Sequence, residues 1–128
     1  MTRTWLLLAL LLLPLRSPSR ADWPGPEWPH YVGDATFYGP GFEGRPTASG
    51  ETFRYDARTC AVDPFFYDDL VGKRVRVCSK RACIEVKVND VCPECALNGV
   101  IVDLPDAAFA VLGDVEQGRV FVKVWVVR

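Results

Sequence analysis

Apolar and polar residues alternate in six short stretches of the chain, and this alternation is typical of β-strands. The clearest stretches are 73–78 and 83–88, which flank the turn 79–82 and predict a hairpin. Shorter strand candidates lie at 33–39, 59–62 and 100–103. The last stretch, 119–127, is apolar at nearly every position, so it predicts a strand that is central or buried on both faces.

A single helix is predicted, over residues 104–113. Pro105 suits the first turn of a helix, Asp106 favours its positive end, and Gly113 suits its stop. Six strands and one short helix in 128 residues indicate one domain, built as a small closed β-barrel or a sandwich.

The first residues have the pattern of a secretory signal peptide. Arg3 precedes an apolar run over 5–13, and a polar stretch then ends in Ser19-Arg20-Ala21. The run is shorter than the roughly 20 residues of a membrane span. We therefore expect a signal peptide at 1–21, a Pro/Trp-rich linker at 22–32 and a folded domain at 33–128. A short N-terminal anchor helix is the alternative.

The net charge of the chain after signal cleavage limits the classes of binding partner that we expect. Cleavage after Ala21 leaves 12 of the 15 basic residues against 16 acidic ones, a net charge of −4. Nucleic acid, which calls for a basic surface, is not expected as a partner. A neutral polymer, or one decorated with cations, remains compatible with this charge.

Five cysteines lie between positions 60 and 95, and in an exported protein they favour disulfides. Cys78 and Cys83 flank the hairpin turn, within cross-strand reach of each other. Cys60 is expected to pair with Cys92 or Cys95, which leaves one thiol free. The alternatives are a four-cysteine zinc site and a thioredoxin-like function of the C-P-E-C segment.

Candidate chemistry centres on Asp90, which stands where the strand 83–88 ends. A carboxylate at a strand end is held rigidly and still meets a ligand. The G-x-G-x-x-G at 39–44 does not predict dinucleotide binding, because Pro46 prevents a helix from starting there. His30 is the only histidine and lies in the linker, which argues against Ser-His-Asp, Cys-His and histidine-zinc enzymes.

The order of motifs resembles the rare lipoprotein A group, whose fold is related to barwin and the expansins. The resemblance covers 33–128 and rests on the segments DATFYG (34–39), TASGE (47–51), VNDVCP (88–93) and IVDL (101–104), followed by an Ala-rich helix and a Val-rich strand. It implies an all-β fold, a six-stranded double-psi β-barrel with one or two short helices. It also implies a polysaccharide groove across the barrel.

Bacterial members of this group are lytic transglycosylases that cut peptidoglycan glycan strands. The resemblance implies that Asp90 is the catalytic acid and that Glu51 orients the sugar or stabilises developing charge. Substrate contacts are expected from Tyr38, Thr47 and Asn89, and a structural capping role from Asp103. The chain departs from the enzymes at 91–92, where Val-Cys replaces Arg-Gly, and at 61–62, where Ala-Val replaces Ala-His.

Several of these residues have plainer alternatives. Asp90 is a residue type that often caps loop N–H groups in turns. Glu51 is compatible with a solvated loop carboxylate, and Tyr38 with an aromatic side chain that only packs.

The expected function is that of a secreted, periplasmic or cell-envelope lytic transglycosylase acting on peptidoglycan or another wall polysaccharide. We expect a monomer without cofactor or metal, and without a membrane anchor after signal cleavage. Two rivals remain. One is a non-catalytic, expansin-like module that binds or loosens the wall, and the other is a disulfide-rich secreted interaction domain with no carbohydrate function.

Overall fold

The computed structural model describes residues 29–127, so the expected signal peptide and the linker up to residue 28 lie outside the described residues. Six strands form the framework: β1 (Tyr31–Tyr38), β2 (Thr59–Val62), β3 (Arg74–Cys78), β4 (Cys83–Val91), β5 (Val100–Pro105) and β6 (Val120–Val126). The first strand starts at Tyr31, inside the expected linker. The other strands occupy the stretches that alternation predicts.

The six strands close into a barrel in the order β1-β5-β2-β4-β3-β6, with β6 pairing back to β1. Two of the pairings are parallel, β1 with β5 and β2 with β4, and each contains a shift of register. The other four pairings are antiparallel. This closed, mixed arrangement is the expected all-β double-psi β-barrel, and closure leaves no open sheet edge.

The barrel interior is filled by alternate residues of the strands. Val75, Val77, Val86, Val88 and Val122 are fully buried there. Strand β6 alternates in the same way, because it leaves Phe121 and Lys123 exposed. The strand pairs with β3 on one side and β1 on the other, as the prediction of a central strand requires, and only part of its outer face is exposed. Trp125, on the same face as Phe121 and Lys123, is buried.

Between residues 29 and 127, three short α-helices connect the strands, where the family resemblance implies one or two: α1 (Pro64–Leu70), α2 (Cys95–Asn98) and α3 (Asp106–Leu112). The helix α1 has a sequence signature that hydrophobic periodicity misses. Asp63 caps it by accepting a hydrogen bond from the Phe65 N–H at 2.8 Å, and Pro64 occupies the first turn. None of the helices among residues 29–127 is long and apolar enough to span a membrane.

The expected cysteine pairing is half correct. Cys78 and Cys83 form a disulfide across the β3–β4 turn, as predicted. The prediction for Cys60 is wrong, because Cys92 bonds to Cys95 and Cys60 is free. The reason is the alternation of β2, which directs Cys60 into the main core, whereas Cys92 and Cys95 pack in a second cluster with its neighbour Ala61.

This pairing predicts the result of a thiol titration. Without reductant, we expect no thiol of the folded protein to react with a disulfide reagent, because Cys60 is buried and burial raises the pKa of its thiol. After unfolding in denaturant, one thiol per chain is expected to react. A count of three would contradict one of the disulfides, and peptide mapping by mass spectrometry would identify which.

Candidate active site

A shift of register in β4 positions Asp90. Cys60 in β2 lies opposite Val88, but the next residue, Ala61, lies opposite Asp90, so Asn89 is an extra residue in β4. Such a bulge re-aims the side chains that follow it. Val88 faces the core, Asn89 is also buried at 1% exposure, and Asp90 reaches the surface of a groove.

The carboxylate of Asp90 holds a loop. Its Oδ1 accepts hydrogen bonds from the backbone N–H of Ala48 and from that of Val91, both at 2.9 Å. The expected plainer function of Asp90, capping loop N–H groups, is thus present in the structure, and the same side chain also lines the groove.

Asp103 faces the same groove from β5. Ala61 pairs with Asp90 on one side and with Asp103 on the other, so the two carboxylates flank one small residue. Neighbouring strands are about 4.8 Å apart, which places the two backbones about 10 Å apart across β2. On the far side of Asp103, the Thr36 hydroxyl donates a hydrogen bond of 2.9 Å to its Oδ1.

The pKa of the Asp103 carboxyl group is raised in this groove. Burial raises its pKa from 3.8 to about 6, and the negative charges of Glu94 and Asp90 add to the rise. The hydrogen bond from Thr36 acts in the opposite direction. A carboxyl group with this pKa is partly protonated near neutral pH, which is the requirement for a general acid.

The expected structural function of Asp103, capping the helix or a neighbouring loop, stays a prediction, and the structure places this side chain in the groove. The helix that follows it, α3, has Pro105 at its N-cap and no side-chain capping bond. The sequence does hold a signal for the observed position: Val102 and Leu104 face the core, so the residue between them faces the other way. A lone carboxylate in an otherwise apolar strand indicates a site on that opposite face.

Glu51 does not line the groove. Its carboxylate accepts a hydrogen bond of 2.8 Å from the Lys87 ammonium, and both side chains are exposed. Thr47 is buried, and its hydroxyl donates to the Glu51 carbonyl at 2.7 Å. Thr47 and Glu51 thus shape the loop that Asp90 binds, and the structure does not bring their side chains into the groove with Asp90.

Of the three residues expected to bind substrate, only Tyr38 lines the groove. Its ring packs against Phe42 and Phe53 at 5.8 and 5.0 Å between centroids, and burial raises the pKa of its hydroxyl. The oxygen is buried and has no hydrogen-bond partner among the described residues. The Oδ1 atom of Asn89 is also buried without a partner, but Asn89 lies outside the groove lining.

The groove encloses about 200 Å³ and contains residues that the sequence did not single out. Arg45, Pro46 and the two phenylalanines come from the loop after β1, and the segment 92–94 forms the wall beside Asp90. The Cys92–Cys95 disulfide fixes that wall. The groove therefore combines an aromatic side with three carboxylates, those of Asp90, Glu94 and Asp103.

Residues 29–127 contain no cluster of three or more histidine, cysteine or acidic side chains that could hold a metal ion. The four sulfurs of the zinc alternative are all in disulfides. The polar and aromatic side chains that line the groove are three carboxyl groups, three aromatic rings and one guanidinium.

Comparison with known proteins identifies the family. The sequence model of the lytic transglycolase family, a double-psi β-barrel family, matches residues 30–124, most of the chain. The chain belongs to the lytic transglycolase family.

Two curated relatives of this lytic transglycolase domain carry the name probable endolytic peptidoglycan transglycosylase RlpA. The protein of Nostoc sp. is 37% identical over 119 residues, which covers 83% of this chain and 30% of the relative. The protein of Synechocystis sp. is 39% identical over 85 residues, which covers 63% of this chain and 24% of the relative. The lytic transglycolase domain thus spans less than a third of either relative.

Solved structures share the barrel of this lytic transglycolase domain. A mutant expansin of Clavibacter michiganensis in complex with cellohexaose superposes with a TM-score of 0.64 at 25% identity, over 76% of this chain and 50% of the expansin. A Streptomyces papain inhibitor superposes with a TM-score of 0.62 at 25% identity, over 78% of this chain and 97% of the inhibitor.

Proposed function

We propose that this domain is an exported lytic transglycosylase that cleaves the glycan strands of peptidoglycan. The observation that carries the proposal is the pair of unlike carboxyl groups in one groove. Asp103 is largely buried and has a pKa raised to about 6, whereas Asp90 lies at the groove surface and accepts two backbone N–H groups. Two carboxyl groups in unlike environments suit an acid and a charge-stabilising partner.

The separate catalytic functions of Asp103 and Asp90 follow from these environments. Asp103 donates its proton to the oxygen of the glycosidic bond, and the bond between that oxygen and the anomeric carbon breaks. Positive charge then develops at the anomeric carbon, and the side chain of Asp90 stabilises it. The 6-hydroxyl of the same sugar attacks that carbon, and Asp103 takes up the hydroxyl proton. The product is a 1,6-anhydro end, and no water is consumed.

This proposal assigns the acid to Asp103, where the sequence alone assigns it to Asp90. The function of Glu51 in orienting the sugar stays a prediction. Its ion pair with Lys87 lies outside the groove lining, which argues for a structural function. Tyr38 offers an aromatic face beside Phe42, and such faces suit the apolar face of a sugar ring.

Export is supported by the two disulfides, which form and persist in oxidising compartments. The names of the RlpA relatives support peptidoglycan as the polymer. The expansin bound to cellohexaose supports a second candidate, a module that binds polysaccharide without cutting it.

The product of the reaction tests the proposal. Purified protein incubated with peptidoglycan is expected to release fragments with 1,6-anhydro ends, detected by mass spectrometry. Protein that sediments with insoluble peptidoglycan and releases no fragment would support the expansin-like module instead. Protein that neither cleaves nor sediments would contradict both and leave the secreted interaction domain.

A further inference from the structure

The groove carries one cationic side chain among its described residues, that of Arg45. Its guanidinium lies over the ring of Phe42, 5.6 Å from the centroid, a geometry that restrains a guanidinium while leaving its N–H donors free. The six ion pairs of residues 29–127 do not include Arg45, and no hydrogen bond within that range uses its guanidinium.

The backbone holds Arg45 in place. Its N–H donates to the Phe42 carbonyl at 3.0 Å, which closes a turn with Gly44 at φ 81°, a conformation that favours glycine. Its carbonyl accepts from the Phe53 N–H at 2.8 Å, and the Gly44 N–H donates to the Phe53 carbonyl at 3.0 Å. A fixed backbone and an aromatic support reduce the entropy lost when the side chain binds a ligand.

The charges of the groove are segregated by element. Arg45 comes from the loop after β1, whereas Asp90, Asp103 and Glu94 come from β4, β5 and the turn after β4. A ligand with one anionic substituent is therefore attracted to one wall and repelled from the other, which fixes its orientation. A carboxylate is the anion that a guanidinium fork matches with two parallel hydrogen bonds.

We propose that Arg45 is a specificity-determining residue that binds a carboxylate carried by the glycan. The inference deepens the proposed function, on which it rests for the class of polymer. Peptidoglycan offers this group in two places: the lactyl ether of a muramic acid without a peptide stem, and the peptide stem itself. Chitin-type and cellulose-type strands have neither. Arg45 thereby separates peptidoglycan from neutral polysaccharides that fit the same aromatic side.

Binding is measured with four ligands of equal sugar length, using the Asp103→Asn variant so that no cleavage interferes. The ligands are a stem-free muramyl glycan, the same glycan with its lactyl carboxylates converted to methylamides, the glycan with its peptide stems, and a chitin oligosaccharide. We expect a carboxylate ligand to bind about tenfold more tightly than the chitin oligosaccharide, the equivalent of one charge-assisted contact.

Arg45→Gln, added to the same background, is expected to remove that preference while leaving the affinity for chitin oligosaccharide unchanged. Arg45→Lys should recover only part of it, because an ammonium lacks the two-pronged geometry. Lys80→Gln removes an exposed cation from the β3–β4 turn and serves as the matched control. Preference for the stem-free glycan, lost on amidation, identifies the lactyl carboxylate, and preference for the stem-bearing glycan identifies the peptide.

This inference would be overturned if the Asp103→Asn protein, which retains Arg45, bound all four ligands with equal affinity. It would also be overturned if the Arg45→Gln variant kept the preference for a carboxylate ligand. That failure is separate from failure of the proposed function, which is judged by anhydro products of the wild-type protein and not by affinity. A protein that binds none of the four ligands would also overturn this inference, whereas the proposed function would still be decided by the anhydro products. Circular dichroism of each variant verifies that the barrel is folded.

Discussion

Replacement of Asp103 by asparagine is expected to lower the rate of glycan cleavage by about 10²-fold to 10⁴-fold, the usual contribution of a general acid. The amide oxygen still accepts the hydrogen bond from Thr36, so the barrel is preserved, but no proton is available for the leaving oxygen. The rate is measured as release of anhydro ends. Asp69→Asn, which removes an exposed carboxylate on α1, is the matched control.

The pH dependence of cleavage follows from the same group. Because Asp103 has a pKa of about 6, cleavage that needs its proton is expected to fall as the pH rises through about 6.

The contribution of Asp103 to the free energy of unfolding is also expected to fall as the pH rises. The folded state binds more protons than the unfolded state between pH 3.8 and about 6, so the free energy of unfolding falls as the pH rises through this window.

Asp103→Asn removes this titration. At pH 7.5 the variant is expected to be more stable than the wild type by on the order of 1–3 kcal/mol, and at pH 3.5 the difference should vanish. Denaturant unfolding at the two pH values measures it. An Asp103→Asn variant that cleaves at the wild-type rate, or a wild type whose cleavage is unaffected between pH 5 and 8, would contradict the assignment of the acid.

Asp90 is expected to respond differently to asparagine and to alanine. Asparagine keeps an oxygen for the N–H groups of Ala48 and Val91 and loses only the charge, so cleavage falls about 10²-fold with little change in stability. Alanine removes the acceptor as well, and we expect a further loss of about 1–3 kcal/mol in the free energy of unfolding. Cleavage assays and denaturant unfolding of both variants measure the two effects.

Glu51→Gln is expected to change both stability and cleavage less than the Asp90 variants do. The ion pair of Glu51 with Lys87 is exposed, and such pairs contribute about 0–1 kcal/mol, so a small change in stability and in cleavage is expected. A loss of cleavage as large as that of Asp90→Asn would instead support the orienting function that the family resemblance assigns to Glu51. An Asp90→Ala variant that matches the wild type in cleavage and stability would contradict both functions of Asp90.

The strands of this domain are predictable from local alternation, because the barrel buries one face of each strand. The hairpin formed by β3 and β4 follows directly from the alternation on either side of its turn, and the Cys78–Cys83 bond follows from the hairpin. The short helix α1 is missed because its signals are a capping Asp63 and Pro64, which periodicity does not register.

The groove is harder to predict, because it depends on which strands become neighbours. Asp90 and Asp103 flank Ala61 only when β2 lies between β4 and β5, which none of the three segments indicates by itself. The same non-local placement raises the pKa of Asp103 by burying it, which no local pattern around this residue indicates. The pairing of Cys92 with Cys95 also depends on the fold, because both cysteines pack with Ala61 whereas Cys60 points into the main core.

Product analysis in ¹⁸O-labelled water tests the central claim most directly. Wild-type protein incubated with peptidoglycan in this solvent is expected to yield 1,6-anhydro ends without label, because the attacking oxygen belongs to the sugar itself. The Asp103→Asn variant is expected to yield about a hundredfold less of the same product. New reducing ends in place of 1,6-anhydro ends would show attack by water and contradict the account, as would a wild-type protein that releases no fragment at all.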